Sequence, residues 1–369
     1  MKLSDLKNIR KSVWITGISL ALVSFIILAL SRRSIGFSDW LCFNVYPIFS
    51  GIGSRLWGIF PFSVAEFFVV FFILGALAGA VCLVIRVKRK RGKRLITFIN
   101  GFSWAVLASA IIFFIVTLNC LVNYNRTPFS EYSGLKVRTY GAGELRELTV
   151  FLIEQVNKAA EEVVLDEEGR AVKPSDFGTH AVEAMESLAE KYDVLDAYYP
   201  QPKGVVCSDL MSCLNIAGIY FPVTVEANYN CAMPVSSQGF TACHELSHLS
   251  GFIREDEANF IAYLACRGSE DPYFRYSGYL EALTYSLNAY YTVADREDYS
   301  RLCSMLSQTV LDEYACRSEY WAPYRKKAVY QVSTAVNDAY LKANNQTDGT
   351  GSYGRVVNLM LAEYLDGSE

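Results

Sequence analysis

Residues 236–267 read SSQGFTACHELSHLSGFIREDEANFIAYLACR, and the reading of the whole chain turns on His244, Glu245 and His248 inside them. On a helix, side chains four residues apart lie on one face a turn from each other, so His244 and His248 can aim imidazole nitrogens at a single ion. Glu245 then lies beside that ion. The chain has only three histidines, His180 being the other, so this spacing is not what chance would supply. Zinc takes a tetrahedral shell of N, O or S ligands and, for catalysis, keeps one position open to water, so the pair needs a third protein ligand. Glu255 and Glu257 are the candidates.

The flanking residues suit such a site. Ser236 or Ser237 is placed to cap a helix start, Phe240, Leu246 and Leu249 supply its apolar positions, and Gly251 is the expected stop. A second helix is expected over 255–267. On it Glu255 and Asn259 share a face at i, i+4, with the small Ala258 toward the first helix. Glu255 could then ligate the metal while Asn259 hydrogen-bonds a ligating histidine.

Glu255-Asp256-Glu257-Ala258-Asn259 is similar to the Glu-x-x-Ala-Asp segment that supplies the third zinc ligand in gluzincin metallopeptidases, read together with His-Glu-x-x-His at 244–248. More widely, Gly218-Ile219-Tyr220-Phe221-Pro222, Glu226-Ala227-Asn228 and the 256–264 run DEANFIAYL resemble an uncharacterised bacterial family of three-span membrane proteins, the domain-of-unknown-function family numbered 3810. The likeness extends over almost the whole chain, including its apolar N-terminal third and the Ser352-Tyr353-Gly354-Arg355 tail. It implies a membrane-anchored, zincin-like metallopeptidase with His244, His248 and Glu255 on zinc. Two departures from the better-known gluzincins stand out: Glu255 follows His248 by only seven residues, and Asn259 replaces the usual aspartate. The short connection keeps Glu257 open as the ligand, and a neutral amide raises the basicity of a histidine less than a carboxylate does. A metzincin pattern runs as far as Gly251, but Arg254 occupies the place of its third histidine.

At 369 residues, with 52% hydrophobic and 14% aromatic content, the chain is too apolar for an ordinary soluble enzyme. Its mean hydropathy is +0.18. Three runs free of Lys and Arg, about 13–30, 62–85 and 102–122, are each long enough to cross a hydrocarbon core of about 30 Å. They define a membrane domain over 1–122. The first lacks a small-residue cleavage site and reads as an anchor, not a removed signal.

Basic residues set the expected orientation. Lys2, Lys7, Arg10 and Lys11 precede the first span, and Arg86, Lys88, Arg89, Lys90, Arg91, Lys93 and Arg94 crowd the second connection. The positive-inside rule puts both in the cytoplasm and the domain from 123 to 369 outside it, in a multi-pass cell-membrane protein. The same cluster can touch anionic lipid, so the bilayer is one partner. Nucleic acid is excluded as a partner by the net charge of -4 and the absence of a basic patch on the large domain. The first connection, 31–61, carries Trp40, Phe43, Tyr46, Phe49, Trp57 and Phe60, which suit the outer interface.

The remainder predicts an α+β domain, mostly helical with a small sheet. Pro128 favours an extended exit from the membrane. Helices are expected over 145–162, 181–192, 279–295, 299–314, 322–343 and 353–364, with a charged turn at 166–170 and a break at 348–351. Strands are expected over 204–207 and 216–225, the second marked as an edge or interrupted strand by Pro222. The family likeness implies that this edge holds extended peptide by main-chain pairing. Glu226 and Asn228 follow it, either lining the cleft or making structural hydrogen bonds. Tyr353 and Arg355 are candidates for oxyanion stabilisation. Seven of the ten cysteines lie beyond the last span, and a disulfide among Cys207, Cys213 and Cys231 is open to them; Cys243 and Cys266 read as small core residues.

The expected function is therefore peptide-bond hydrolysis by a zinc-bound water, with Glu245 as general base and a peptide or protein as substrate. The main rival is a membrane-anchored sensor or binding protein that keeps the zinc site without turnover. Proteolysis within the membrane is disfavoured, because the His-Glu helix lies far from the three spans.

Overall fold

The computed structural model describes residues 9–344, 346 and 353–366. Lys2, Lys7, the break expected at 348–351, Ser352 and the side chain of Tyr353 lie outside them. Two compact units emerge. One takes the chain up to Phe49, Val64–Arg126 and Pro222–Thr224; the other takes Ser50–Ser63, Thr127–Phe221 and the chain from Val225 onward.

The chain begins with α1 (Lys11–Arg33), α2 (Ile35–Asn44), α3 (Tyr46–Gly58), α4 (Val64–Arg89) and α5 (Arg94–Val116). Three stretches, Lys11–Arg33, Val64–Arg89 and Arg91–Asn125, are long and apolar enough to cross a membrane. Within the first unit α5 packs on both α1 and α4. Side chains such as Phe71 (67% exposed) and Leu77 (60%) point outward, as suits contact with lipid. The third stretch runs on through a π-helical turn, Thr117–Leu121. Around it two side-chain bonds tie the unit together: Cys42 donates to Asn123 Oδ1 at 2.9 Å, and Asn119 donates to the Pro222 oxygen at 2.8 Å. The connection 31–61 is largely helical, and its aromatics divide, with Trp40 55% exposed and Tyr46 only 4%.

The second unit is built on a three-stranded sheet in the order β1-β3-β2, with β1 (Lys203–Val205), β2 (Gly218–Phe221) and β3 (Glu226–Asn230). β1 runs parallel to β3 and β2 antiparallel to it, so β2 is an edge. The second strand is shorter than expected. Pro222 cannot donate to a ladder, and the chain turns there instead of continuing to 225. The helices are α6 (Ala142–Glu162), α7 (Phe177–Lys191), α8 (Ser208–Cys213), α9 (Val235–Leu249), α10 (Glu255–Gly268), α11 (Pro272–Tyr291), α12 (Arg296–Cys303), α13 (Gln308–Arg325), α14 (Ala328–Ala343) and α15 (Tyr353–Asp366).

Capping residues explain where periodicity alone misplaced helix ends. Asp271 accepts from Tyr273 N and, with Pro272 next, starts α11 well before residue 279. Ser307 accepts from Val310 N, which opens α13 and divides the helix expected over 299–314. The helix expected over 322–343 is likewise two, α13 and α14, separated at Lys326 and Lys327.

Candidate metal centre

The site helix α9 is the buried centre of its unit, packed against β2, β3, α7, α10 and α11. It begins one residue after Pro234, so Ser236 and Ser237 lie inside it and do not cap it. Ser236 instead donates to Glu313 Oε1 at 2.6 Å. The other end follows the glycine expectation. Gly251 has a φ of +94°, a left-handed conformation that a side chain disfavours. With it, Gly251 N bonds to the His248 oxygen and Phe252 N to the Ser247 oxygen, closing the last turn with two capping bonds.

That reversal makes the seven-residue spacing workable. Residues 250–254 fold back on α9, and Glu255 becomes the first residue of α10, facing the histidines. Glu255 Oε2 lies 3.3 Å from His244 Nε2, and Oε1 lies 3.8 Å from His248 Nε2. The three side chains offer one ligand atom each within 4.8 Å of one another. The two imidazoles stand nearly perpendicular, at 81°. Reversing the chain has a second effect: His248 Nδ1 lies 2.9 Å from the Phe252 oxygen. With Nδ1–H donating there, the Nε2 lone pair is left for a metal.

Two neutral imidazole nitrogens and a carboxylate oxygen are a donor set that zinc accepts, one ligand short of a tetrahedron. Burial disfavours a charge on His244, yet the bond to Glu255 prevails and raises it to about 9. Burial also opposes ionisation of Glu255, but His244 and His248 hold it at about 2. His248 is pushed down to about 4 by burial and by the charge on His244.

Glu245 is 4% exposed, and burial raises its carboxyl to about 8. Its Oε2 is buried without a hydrogen-bond partner.

Other candidates are placed elsewhere. Glu257 stands apart from the three-residue group, its carboxylate accepting from Phe129 N and from Arg254 Nε, each at 2.8 Å. Asn259 lies close enough to His244 to favour its charged form, but His244 Nδ1 has no well-aligned partner. The expected amide–histidine bond is therefore not formed at that nitrogen. Glu226 and Asn228 do not line a cleft: they sit on the central strand, 2% and 0% exposed. Glu226 pairs with Lys203 at 2.5 Å, and Asn228 Nδ2 donates to the Glu226 oxygen at 3.2 Å. Arg355 Nε is held by Asp256 Oδ2 at 3.0 Å. No disulfide joins Cys207, Cys213 and Cys231, and Cys231 Sγ bonds to the Val205 oxygen at 3.2 Å. Cys243 and Cys266 are fully buried core residues.

Sequence reasoning missed the Phe252 carbonyl and the closeness of Gly218, where a Cβ would stand 2.3 Å from Glu245 Oε1. The second carried a signal, since glycine inside a strand pattern often marks a close approach.

The chain belongs to the family described as Protein of unknown function (DUF3810), whose pattern matches residues 43–361. No curated protein and no solved structure matches it.

Proposed function

We propose that this chain is a membrane-anchored, zinc-dependent metallopeptidase with a zincin-like domain outside the cytoplasm. The observation that carries the reading is the His244, His248 and Glu255 group, whose ligand atoms lie within 4.8 Å of one another. When bound, zinc lowers the pKa of water to about 7 and polarises a scissile carbonyl. Glu245, next to His244 on α9, takes the proton of the attacking water and passes it to the leaving amine. Its affinity for a proton near neutral pH suits a group that must both accept and return one. The edge strand β2 beside α9 offers main-chain pairing to an extended peptide. The basic residues Arg86, Lys88, Arg89, Lys90, Arg91, Lys93 and Arg94, read by the positive-inside rule, support a domain outside the cytoplasm.

The test is hydrolysis of casein by the purified full-length chain in detergent with zinc. Glu245→Gln should keep its zinc and lose activity by about 100-fold or more. Equal rates for the two proteins would sink the reading.

A zinc-binding sensor without turnover is the second reading, favoured by how fully Glu245 is enclosed, at 4% exposure. It predicts zinc binding with no product that depends on Glu245.

A further inference from the structure

Gly218 is the first residue of β2, paired with Tyr229 of β3 in the ladder. A Cβ at this position would stand 2.3 Å from Glu245 Oε1 and 2.7 Å from Thr241 Cγ2, closer than unbonded atoms approach. Thr241 and Glu245 are four residues apart on α9, so the strand lies along one face of that helix. Thr241 Oγ1 donates to the Ser237 oxygen at 2.9 Å, which fixes its rotamer and with it the methyl group. Two residues along the strand, the Tyr220 backbone also bonds to the Glu245 carboxyl. Gly218 is not among the glycines with positive φ, so its backbone is one that any residue adopts. Glycine is required there for space, not for conformational freedom.

We infer that Gly218 is a positioning residue for Glu245: its bare Cα lets the edge strand lie directly against the carboxyl and hold it in place beside His244. The inference rests on the proposed role of Glu245 as the base. A side chain at 218 meets the free end of a glutamate first, so the carboxyl is what gives way. The metal ligands on α9 and α10 keep their places.

The experiment uses the full chain in detergent loaded with cobalt(II), whose visible spectrum is followed as pH is varied. Wild type, Glu245→Gln, Gly218→Ala and, as a control on the same strand, Ile219→Ala are compared. Gly218→Ala should bind one cobalt per chain, as wild type does, and its spectral midpoint should move to that of Glu245→Gln. Ile219→Ala should titrate as wild type. Gly218→Ala with Thr241→Ser, which removes the second close approach, should move part of the way back. If Gly218→Ala titrates as wild type while Glu245→Gln does not, the positioning role is overturned and the function stands. If Gly218→Ala binds no cobalt, Gly218 serves the ligand fold and the positioning role is again overturned. If Glu245→Gln titrates as wild type, or wild type binds no cobalt, the proposed function falls and takes this inference with it.

Discussion

His248 Nδ1 meets the backbone oxygen of Phe252 at 2.9 Å, four residues further along the chain. Helical geometry does not deliver that contact, because Phe252 lies beyond the end of α9. The left-handed turn at Gly251 delivers it, by folding the chain back under its own last turn.

Gly251→Ala therefore strains the site as well as the fold. A side chain in this region costs about 1–2 kcal/mol, so the melting temperature should fall. Loss of the Phe252 carbonyl should weaken zinc binding about tenfold, as expected for a group that orients a ligand. Thermal unfolding and zinc titration check the two effects separately, and an unaltered zinc affinity would show that the turn does not orient His248.

The two glutamates should separate cleanly. Glu255→Gln is expected to weaken zinc binding by about tenfold or more. Glu257→Gln should leave zinc binding intact and cost about 1–3 kcal/mol of stability, because a buried carboxylate that holds Phe129 N and Arg254 is replaced. Competitive zinc titration and denaturant unfolding distinguish them, and the reverse pattern would move the ligand to Glu257.

Zinc uptake should release protons. At pH 7 His244, raised to about 9, carries a proton that a metal must displace, and Glu245, raised to about 8, gives up part of its own beside a cation. Calorimetry at that pH in two buffers of different ionisation enthalpy should report about one to two protons per zinc. Zero released would contradict the raised value of His244.

With a chelator present, stability should decline as pH rises from about 7 toward 9.5. Both relevant groups have folded values above their ordinary 6.5 and 4.5. The stability each contributes is complete below the ordinary value and is lost as pH climbs through the folded one, near 9 for His244 and near 8 for Glu245. Glu245→Gln stays neutral throughout and should flatten part of the decline. A melting temperature that is constant over this window contradicts the burial argument.

Orientation can be read from thiols. Cys207 and Cys231 are exposed on the second unit. A membrane-impermeant maleimide should label them in intact cells, and the double change Cys207→Ser/Cys231→Ser should reduce that labelling. Labelling only after lysis would put the domain in the cytoplasm.

Local chemistry determined a good part of this protein from sequence alone. The three apolar stretches, the start of α10 at Glu255, the edge character that Pro222 imposes on β2 and the stop at Gly251 each depend on residues near one another in the chain, so propensity and periodicity reach them. His244 and His248 belong to the same class, since one helical turn is enough to bring them together. What the tertiary structure decided is everything that needs two distant segments at once. It separated Glu255 from Glu257, because the direction of the chain leaving Gly251 selects which carboxylate faces the imidazoles. It decided between the two roles open to Glu226 and Asn228, placing both on the buried central strand as structural hydrogen-bonding residues and not in a cleft, because sheet order is not written in a strand's own alternation. It also set Gly218 against Glu245, 27 residues later in sequence, since only packing reveals where a missing side chain makes room for another.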